Sequence, residues 1–223
     1  MSTLVLLSGG LDSTVLLSKM IHDSSPRQVG AISFWYGQKH EKELQAAAKV
    51  ARHFNLLDHT IMRLPPDLFR GAGSALMDEI PMPHETYQEL AHQQGPSPTV
   101  VPYRNGTFLS LATVYALENN YSEVAIAVHA DDAAHWAYPD CSPEFTGSMA
   151  AAIWVGTYRA VRLISPFQWM MKKEVVKLGF EIGAPFGLSW SCYEGGAKPC
   201  RLCPTCVERI EAFRQNGADD PSL

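Results

Sequence analysis

Short apolar runs alternate with amphipathic stretches along the chain. The apolar runs lack a polar face, which is typical of strands buried in a parallel sheet. These strand segments are 3–7, 29–35, 58–63, 123–128 and 161–164. In the amphipathic stretches apolar residues recur every three or four positions, which predicts helices. The helix segments are 14–21, 41–54, 107–117, 145–155, 172–182 and 207–213. This alternation predicts an α/β fold with a parallel, doubly wound sheet.

Two long segments break the pattern. Residues 64–102 contain seven prolines and little periodicity, and residues 129–143 are polar and irregular. Long irregular segments in a compact domain are commonly functional. The tail from residue 190 to 206 concentrates the cysteines. We therefore predict an α/β domain over residues 1–185, with a small metal-binding element over residues 186–223 packed on it.

The segment 8–13, Ser-Gly-Gly-Leu-Asp-Ser, joins the first strand to the first helix and is called the glycine loop below. Gly9 and Gly10 let main-chain N–H groups approach an anion, and the helix start adds free donors and a positive dipole end. Further hydroxyl donors are Ser8, Ser13 and Thr14. Asp12 is suited to orienting the loop or to holding Mg²⁺. The pattern predicts a phosphate site, and an ordinary helix-capping turn is the alternative.

Four of the five cysteines lie within fifteen residues: Cys192, Cys200, Cys203 and Cys206. Zinc prefers four tetrahedral ligands of this kind, and the filled ligand set predicts a structural Zn²⁺. An iron–sulfur cluster is the alternative, because three of the cysteines follow one another at two-residue gaps. Clustered cysteines in an odd total favour a metal site in a reducing compartment, so we expect a cytoplasmic protein.

Composition restricts the classes of function. The net charge of −5 lacks the broad positive field of non-specific nucleic-acid binding, so no nucleic-acid partner is expected. No run of eighteen apolar residues occurs, so no membrane span is expected. A hydrophobic content of 46% is ordinary for a globular protein. These features favour a small-molecule substrate.

The glycine loop resembles the pyrophosphate loop of the ATP-pyrophosphatase superfamily, whose members cleave ATP between its α- and β-phosphates. From residue 4 to about 213 the chain resembles the 7-cyano-7-deazaguanine synthase family. The segments that carry this resemblance are 7–13, 36–41 (Tyr-Gly-Gln-Lys-His-Glu), 101–105, 138–145 (Tyr-Pro-Asp-Cys-Ser-Pro-Glu-Phe) and 191–196, followed by Cys-x2-Cys-x2-Cys.

The resemblance implies a Rossmann-like fold of the adenine nucleotide alpha-hydrolase type and a homodimer. It implies a carbon–nitrogen ligase of queuosine biosynthesis that converts 7-carboxy-7-deazaguanine and ammonia to 7-cyano-7-deazaguanine. ATP is used twice through adenylated intermediates, releasing AMP and pyrophosphate. The enzyme would mainly position its substrates and neutralise charge.

Site residues follow from the matching segments. For ATP they are Leu7, Ser8, Gly9, Gly10, Leu11, Asp12, Ser13, Thr14, Phe34, Tyr36 and Gln38. For catalysis they are Ser8, Asp12, Ser13, His40 and Arg104. For the deazaguanine substrate they are Arg104, Asn105, Asp132, Tyr138, Asp140, Cys141 and Glu144. Structural metal ligands are Cys192, Cys200, Cys203 and Cys206.

Physical roles can be assigned to several of these residues. Phe34 and Tyr36 either cover adenine or pack in the core. Arg104 is suited to pairing a carboxylate or a phosphate. His40, with Gln38, is suited to contacting phosphates or shuttling a proton.

On the substrate side, Asp132 and Asp140 can accept hydrogen bonds from the N–H edge of a guanine-like base. Tyr138 can stack on that base. Cys141 has no activating partner in the sequence, so we expect it to pack beside the substrate.

The sequence departs from the family pattern at two places. Tyr103 stands where the family usually has glycine, and a ring there could narrow the pocket or cover a ligand. The segment 132–138 is about two residues longer than usual. A ligase that stops at the amide, or acts on a related acid, is therefore an alternative. An RNA-modifying thiolase and a non-enzymatic zinc module are further alternatives, but the thiolase needs a spare cysteine pair and the module leaves the glycine loop unexplained.

Overall fold

The five described strands form one parallel sheet. The structure is a computed structural model, and it describes residues 2–84 and 97–223, so part of the irregular stretch 64–102 lies outside the described residues. The strands are β1 (Thr3–Leu6), β2 (Val29–Trp35), β3 (His59–Arg63), β4 (Glu123–Ala125) and β5 (Arg162–Ile164). Their order is β3-β2-β1-β4-β5, and every neighbouring pair is parallel. The predicted α/β class is confirmed.

Helices cover both faces of this sheet. They are α1 (Leu11–Asp23), α2 (Lys42–His53), α3 (Arg104–Glu118), α4 (Ala130–Ala133), α5 (Pro143–Gly156), α6 (Lys172–Glu181) and α7 (Pro204–Arg214). Short 3-10 turns lie at Pro26–Gln28, Ala134–Trp136, Pro139–Cys141 and Phe186–Leu188. Within the part of the chain that is described, no helix has the length and apolar character needed to cross a membrane.

Alternation along the strands divides the core into two layers. Val5 and Ala31 belong to one buried cluster, together with apolar residues of α1, α2, α6 and α7. Leu4, Leu6 and Ile32 point the other way, into a cluster with α3 and α5. Both faces of the strands are therefore buried, which explains why their sequences carry no polar face.

The strand order reverses beside β1. From β1 the chain runs to β2 and β3 on one side, and β4 and β5 lie on the other side. Loops that leave the carboxyl ends of β1 and β4 therefore diverge and open a crevice, where ligands bind in sheets of this kind. The glycine loop follows β1, so the fold places the predicted phosphate site at this crevice.

Several elements begin earlier than the periodicity predicts. Helix α1 begins at Leu11 and α3 at Arg104, in each case three residues before the predicted start. Their first turns carry polar or functional side chains, which interrupt the apolar repeat without interrupting the helix. Helix α7 begins at Pro204, since proline suits a first helical turn. The irregular segment 129–143 contains α4 and two 3-10 turns.

Candidate functional site

A cavity of about 240 Å³ opens at the carboxyl edge of the sheet. Its wall is formed by the glycine loop, the end of β2, the first turns of α2 and α3, and residues near the four cysteines. The predicted site residues in this wall are Leu7, Ser8, Gly10, Leu11, Asp12, Ser13, Phe34, Tyr36, Gln38, His40, Arg104, Asn105, Asp132, Tyr138 and Cys141. Of the residues predicted for ATP, catalysis and the deazaguanine substrate, those outside it are Gly9, Thr14, Asp140 and Glu144.

Serine hydroxyls hold the glycine loop in shape. The N–H groups of Gly9 and Gly10 donate to Ser13 Oγ (3.2 Å) and Ser8 Oγ (3.1 Å), respectively. The two hydroxyls lie 2.9 Å apart. The glycine amides are therefore already bonded within the loop, and the amides that remain open to an anion lie elsewhere in it.

The free donors belong to the first turn of α1. The N–H groups of Leu11, Asp12 and Ser13 have no acceptor among the described residues, as expected at a helix start. Thr14 is buried, and its hydroxyl donates to the Gly10 carbonyl at 2.8 Å. Thr14 is thus committed to the helix start, and the three free amides with their positive dipole end face the cavity side.

Gly9 lies outside the cavity wall because α2 packs directly against it. Its φ is +88°, and a Cβ there would lie 2.1 Å from the Glu43 carbonyl oxygen and 2.5 Å from the Ala47 nitrogen. Both atoms are helix backbone and cannot move independently. Gly9 therefore fixes the distance between the loop and α2.

A buried charge cluster lies beside the start of α1. Lys172 Nζ is 3.3 Å from Asp12 Oδ2 and 3.5 Å from His129 Nε2. The His129 ring nitrogen is also 3.4 Å from Asp132 Oδ2. Burial raises the pKa of Asp12, but Lys172 and His129 outweigh it and hold the pKa below its ordinary value. Asp12 is thus ionised, and its Oδ1 has no hydrogen-bond partner among the described residues.

Arg104 enters the cavity from the first turn of α3. Its Nη1 donates to the Tyr36 hydroxyl at 3.2 Å, and its guanidinium lies 5.8 Å from the centre of that ring. Within residues 2–84 and 97–223, no carboxylate forms an ion pair with Arg104. A cavity-lining cation without a carboxylate partner is suited to an anionic ligand group.

Glu43, on α2, lies in the same wall. Burial raises the pKa of its carboxyl to about 7, and the charge of Arg104 opposes that shift. A carboxyl in this range can exchange protons at neutral pH.

The aromatic residues at the end of β2 pack against α3. The rings of Phe34 and Phe108 stack with centroids 4.4 Å apart and an interplanar angle of 6°. The Gln38 side chain folds back onto this strand end, accepting from the Tyr36 N–H at 2.9 Å and donating to the Phe34 carbonyl at 3.3 Å. Core packing, one of the two expected roles of Phe34, is therefore present, although Phe34 also lines the cavity.

The predicted deazaguanine residues divide into two groups. Asp132, Tyr138, Cys141 and Asn105 line the cavity. Asn105 Nδ2 donates to Cys141 Sγ at 3.4 Å. Burial, followed by the nearby Asp132 and Asp140 charges, raises the pKa of the Cys141 thiol well above its ordinary value. The thiol is therefore neutral, in agreement with a packing role.

Asp140 and Glu144 have other surroundings. The Asp140 carboxylate accepts the Asn105 N–H at 2.9 Å, so it caps the first turn of α3 and does not reach the cavity. Glu144 is exposed in the first turn of α5. Neither residue is part of the cavity wall, and the substrate-binding role expected of both stays a prediction.

Tyr103 does not narrow the cavity. Its φ is +60°, and its ring lies over Gly106 and edge-on to Phe145, with centroids 5.8 Å apart. The side chain is 59% exposed and is not part of the cavity wall. The residue keeps the left-handed backbone that a glycine would adopt freely.

His40 connects the cavity to residues 190–206, which contain the four clustered cysteines and are called the cysteine segment below. Its Nε2 lies 3.0 Å from the Tyr193 carbonyl oxygen, and Gly195 packs against its ring. Its Nδ1 is buried without a partner among the described residues. The main-chain N–H of Trp190 donates to the Gly9 carbonyl at 2.8 Å, so the cysteine segment also supports the glycine loop.

The four cysteines predicted to bind metal converge. The Sγ atoms of Cys192, Cys200, Cys203 and Cys206 all lie within 4.8 Å of one another. Main-chain N–H groups point at two of them: Cys200 N donates to Cys192 Sγ at 3.2 Å and Cys203 N to Cys200 Sγ at 3.3 Å. Such donors stabilise thiolates, so the cluster can hold a metal ion.

Sequence reasoning missed Glu43, His129, Lys172 and Tyr193. Lys172 and Asp12 are 160 residues apart, so no local motif connects them. One signal was available for Lys172 and His129: both follow strands at the carboxyl edge of the predicted sheet, where polar residues converge. Tyr193 and Glu43 give no such signal, because one lies beside a cysteine and the other inside a helix repeat.

Three curated relatives align with the whole chain. The 7-cyano-7-deazaguanine synthase of Archaeoglobus fulgidus is 40% identical over 229 residues, covering 100% of this chain and 90% of that protein. The synthase of Allorhizobium ampelinum is 41% identical over 225 residues, covering 100% and 92%. The synthase of Trichodesmium erythraeum is 39% identical over 229 residues and covers 100% of both chains.

Two solved structures share the fold at 15% sequence identity. The U34-tRNA thiolase NcsA from Methanococcus maripaludis, with its 4Fe–4S cluster, has a TM-score of 0.50 over 97% of this chain and 66% of that chain. The predicted subunit of tRNA methyltransferase from Methanocaldococcus jannaschii has a TM-score of 0.51 over 100% of this chain and 91% of that chain.

A family model described as queuosine biosynthesis protein QueC matches residues 2–217. With this match and relatives near 40% identity along its whole length, the chain belongs to the QueC family of queuosine biosynthesis proteins.

Proposed function

We propose that this protein is an ATP-dependent carbon–nitrogen ligase that makes 7-cyano-7-deazaguanine from 7-carboxy-7-deazaguanine and ammonia in queuosine biosynthesis. One observation carries the proposal beyond family membership. A single cavity brings together the free amides of the glycine loop and a cation, Arg104, that has no ion pair among the described residues. A nucleotide phosphate and a substrate carboxylate can therefore meet in one place.

ATP would bind with its phosphates at the start of α1. The amides of Leu11 to Ser13, the Ser8 and Ser13 hydroxyls and the Lys172 ammonium supply donors and positive charge on this side of the cavity. Adenine would pack against the apolar part of the wall at Phe34 and Tyr36.

Mg²⁺ fits one part of this site. Asp12 Oδ1 is a buried acceptor without a hydrogen-bond partner among the described residues, and carboxylate oxygens are preferred ligands of Mg²⁺. When bound, the ion would neutralise phosphate charge. Lys172, on the other oxygen of Asp12, would keep the carboxylate ionised.

The substrate carboxylate would pair with Arg104, while Asp132 accepts hydrogen bonds from the base and Tyr138 covers it. A 2.6 Å hydrogen bond between the Tyr138 hydroxyl and Thr99 Oγ1 fixes the position of the Tyr138 ring. Burial raises the pKa of Asp132 above its ordinary value, although the nearby His129 and Lys172 oppose that shift. These contacts would place the carboxylate next to the phosphates.

The chemistry then needs little from the protein beyond positioning. The carboxylate oxygen attacks the α-phosphorus, and pyrophosphate leaves. Ammonia attacks the resulting acyl adenylate, and AMP leaves to give the amide. A second ATP activates the amide oxygen, and loss of AMP leaves the nitrile. Donors at the start of α1 and Arg104 would stabilise the negative charge that develops in each step.

We propose Zn²⁺ for the four-cysteine cluster. Tetrahedral zinc with Zn–S bonds of about 2.3 Å places sulfur atoms about 3.8 Å apart. Sγ atoms that all lie within 4.8 Å of one another are compatible with one ion. An iron–sulfur cluster would hold its ligands farther apart, because its own atoms lie between them. With four protein ligands, the zinc would be structural.

The proposal extends to the whole molecule. We propose a cytoplasmic homodimer, with an α/β domain over residues 1–185 and a metal-binding element over residues 186–223. The apolar side chains of Val155 and Tyr158 at the end of α5 are exposed, which supports a contact between subunits at this surface. Light scattering measures the oligomeric state directly.

Incubation with 7-carboxy-7-deazaguanine, ammonium and MgATP, followed by mass spectrometry, tests the function. We expect the nitrile, with AMP and nitrile in a two-to-one ratio. Arg104→Gln should abolish product formation, and Arg27→Gln, an exposed arginine in a 3-10 turn, serves as the matched control. Accumulation of the amide alone, or no substrate-dependent AMP, would contradict the proposal.

A further inference from the structure

Three carboxylates line the cavity: Asp12, Glu43 and Asp132. Asp12 is bound by Lys172 at 3.3 Å, and Asp132 lies 3.4 Å from His129. The Glu43 carboxylate has neither an ion pair nor a hydrogen bond to any residue in 2–84 or 97–223. Of the three, it is the carboxylate with no ion pair among the described residues and no role in the proposed binding of Mg²⁺ or the base.

Three polar side chains from different elements line the cavity with Glu43 and interact with it electrostatically. They are Tyr36 from the end of β2, Arg104 from α3 and Tyr193 from the cysteine segment. Arg104 interacts electrostatically with Glu43 but does not form an ion pair with it. A gap therefore separates the cation that would hold the substrate carboxylate from the free carboxylate on α2.

The position of Glu43 along α2 is also fixed. Its main-chain carbonyl packs against Gly9, where a Cβ would lie only 2.1 Å away. This contact sets the first turn of α2 directly beside the glycine loop. Glu43 thus lines the same cavity as the glycine loop and Arg104.

The proposed reaction needs a base at this place. At neutral pH, ammonia in solution is almost entirely ammonium, which has no lone pair for attack on a carbonyl carbon. The enzyme must remove one proton before the C–N bond can form. A general base works best when its pKa lies near the operating pH.

We propose that the Glu43 carboxylate binds ammonium and accepts its proton, so that ammonia is released next to the activated carbonyl group. This inference rests on the proposed function and adds a catalytic residue to it. The raised pKa of Glu43, about 7, agrees with this role.

The step balances without a further reagent. One proton passes from ammonium to Glu43, and the nitrogen lone pair forms the bond to the carbonyl carbon. The bond between that carbon and the AMP oxygen breaks, and AMP leaves with the electron pair. The amide nitrogen then releases its extra proton to the AMP phosphate or to water. Glu43 returns its own proton to water through the open cavity.

A comparison of two nucleophiles tests the inference. Hydroxylamine is largely uncharged at neutral pH, so it needs no base before it attacks the acyl adenylate. Glu43→Gln should lower amide and nitrile formation from ammonium by about 100-fold or more. Hydroxamate formation from hydroxylamine should change less than about threefold, because no proton has to be removed first. Glu41→Gln, an exposed residue at the start of the same helix, is the matched control.

Substrate-dependent exchange of pyrophosphate into ATP separates this inference from the proposed function, since exchange requires no ammonia. Glu43→Gln should retain exchange. Equal losses with both nucleophiles, a loss of exchange in the variant, or unchanged use of ammonium would each overturn the role of Glu43. Absence of exchange in the wild-type protein would instead overturn the proposed function itself.

The wild-type protein provides a second test that depends on no variant. At limiting total ammonium, the rate should rise as Glu43 ionises with increasing pH and level off above about pH 7. The hydroxylamine reaction should lack this rise. An ammonium rate that keeps increasing above pH 7 in proportion to free ammonia would show that the enzyme uses dissolved ammonia without Glu43.

Discussion

Gly9 lies at the closest approach between the glycine loop and α2, with φ of +88°. Any Cβ at this residue meets the backbone of α2, and the left-handed conformation alone disfavours side chains by about 1–2 kcal/mol. The residue therefore has two separate reasons to be glycine. Only the first of them concerns the site, since it sets the loop against α2.

Gly9→Ala should lower the free energy of unfolding by about 3 kcal/mol or more, because strain and overpacking add. Gly183→Ala is the matched control: its φ is +70°, but a Cβ there meets nothing within 4 Å. Its cost should be about 1–2 kcal/mol. Urea denaturation measures both, and equal costs would show that the contact with α2 does not matter.

The shifted pKa of Glu43 predicts that the free energy of unfolding depends on pH. Burial raises its pKa to about 7, so the folded protein favours the protonated carboxyl. Its contribution is fully present below the pKa of the unfolded chain and is lost as pH rises through about 7. Between pH 5 and pH 8 the wild-type protein should therefore lose this stabilisation, which Glu43→Gln lacks. The free energy of unfolding of the variant, relative to that of the wild type, should rise by more than about 1 kcal/mol over this range. Urea denaturation at both pH values checks this, and a constant difference would argue against the shifted carboxyl.

At the scale of elements, the start of α3 positions Arg104. Tyr103 before it has a left-handed backbone and provides no side-chain cap, while Asp140 accepts the Asn105 N–H from a distant 3-10 turn. Caps of this kind contribute about 1 kcal/mol. The direction of Arg104 into the cavity thus depends on a contact 35 residues away in sequence.

Asp140→Ala should destabilise the protein by about 1 kcal/mol and raise the KM for the deazaguanine substrate more than the KM for ATP. Glu118→Ala, an exposed acidic residue at the other end of α3, is the control. Thermal denaturation and steady-state kinetics measure the two effects. If the two KM values rose equally, Asp140 would not be acting through Arg104.

Secondary structure could be predicted from the sequence wherever the apolar pattern was continuous, as in β2 and α2. Helix starts could not, because polar functional residues such as Asp12 and Arg104 interrupt the apolar repeat in the first turns of α1 and α3. The order of the strands could not be predicted from local sequence patterns either, because the neighbouring strands β1 and β4 are separated by more than 100 residues in sequence. For the same reason Lys172, which reaches Asp12 across the crevice, was not predicted.

At the scale of the whole molecule, residues beside the four-cysteine cluster contact the glycine loop and the cavity wall. Trp190 donates to Gly9, and Tyr193 contacts His40 and lines the cavity. The residues on either side of Cys192 therefore support both the loop and the wall. Helix α7, which carries Cys206, packs Phe213 into the main core against Phe186, with ring centroids 5.0 Å apart.

Removal of the metal proposed for the four-cysteine cluster should therefore affect more than stability. Treatment with a chelator should lower the Tm and weaken binding of an ATP analogue several-fold, because the cysteine segment would no longer hold Gly9 and His40 in place. Re-addition of Zn²⁺ should restore both. Calorimetric titration of the treated protein measures the affinity, and unchanged nucleotide binding would show that the cluster acts on stability alone.

We propose that the start of α1 binds ATP phosphates in the same cavity in which Arg104 binds the substrate carboxylate. A crystal structure with a non-hydrolysable ATP analogue and 7-carboxy-7-deazaguanine tests it most directly. We expect phosphate oxygens within hydrogen-bond distance of the Leu11 to Ser13 amides, and the carboxylate on Arg104. Nucleotide bound elsewhere at saturation, or a carboxylate remote from both groups, would contradict the account.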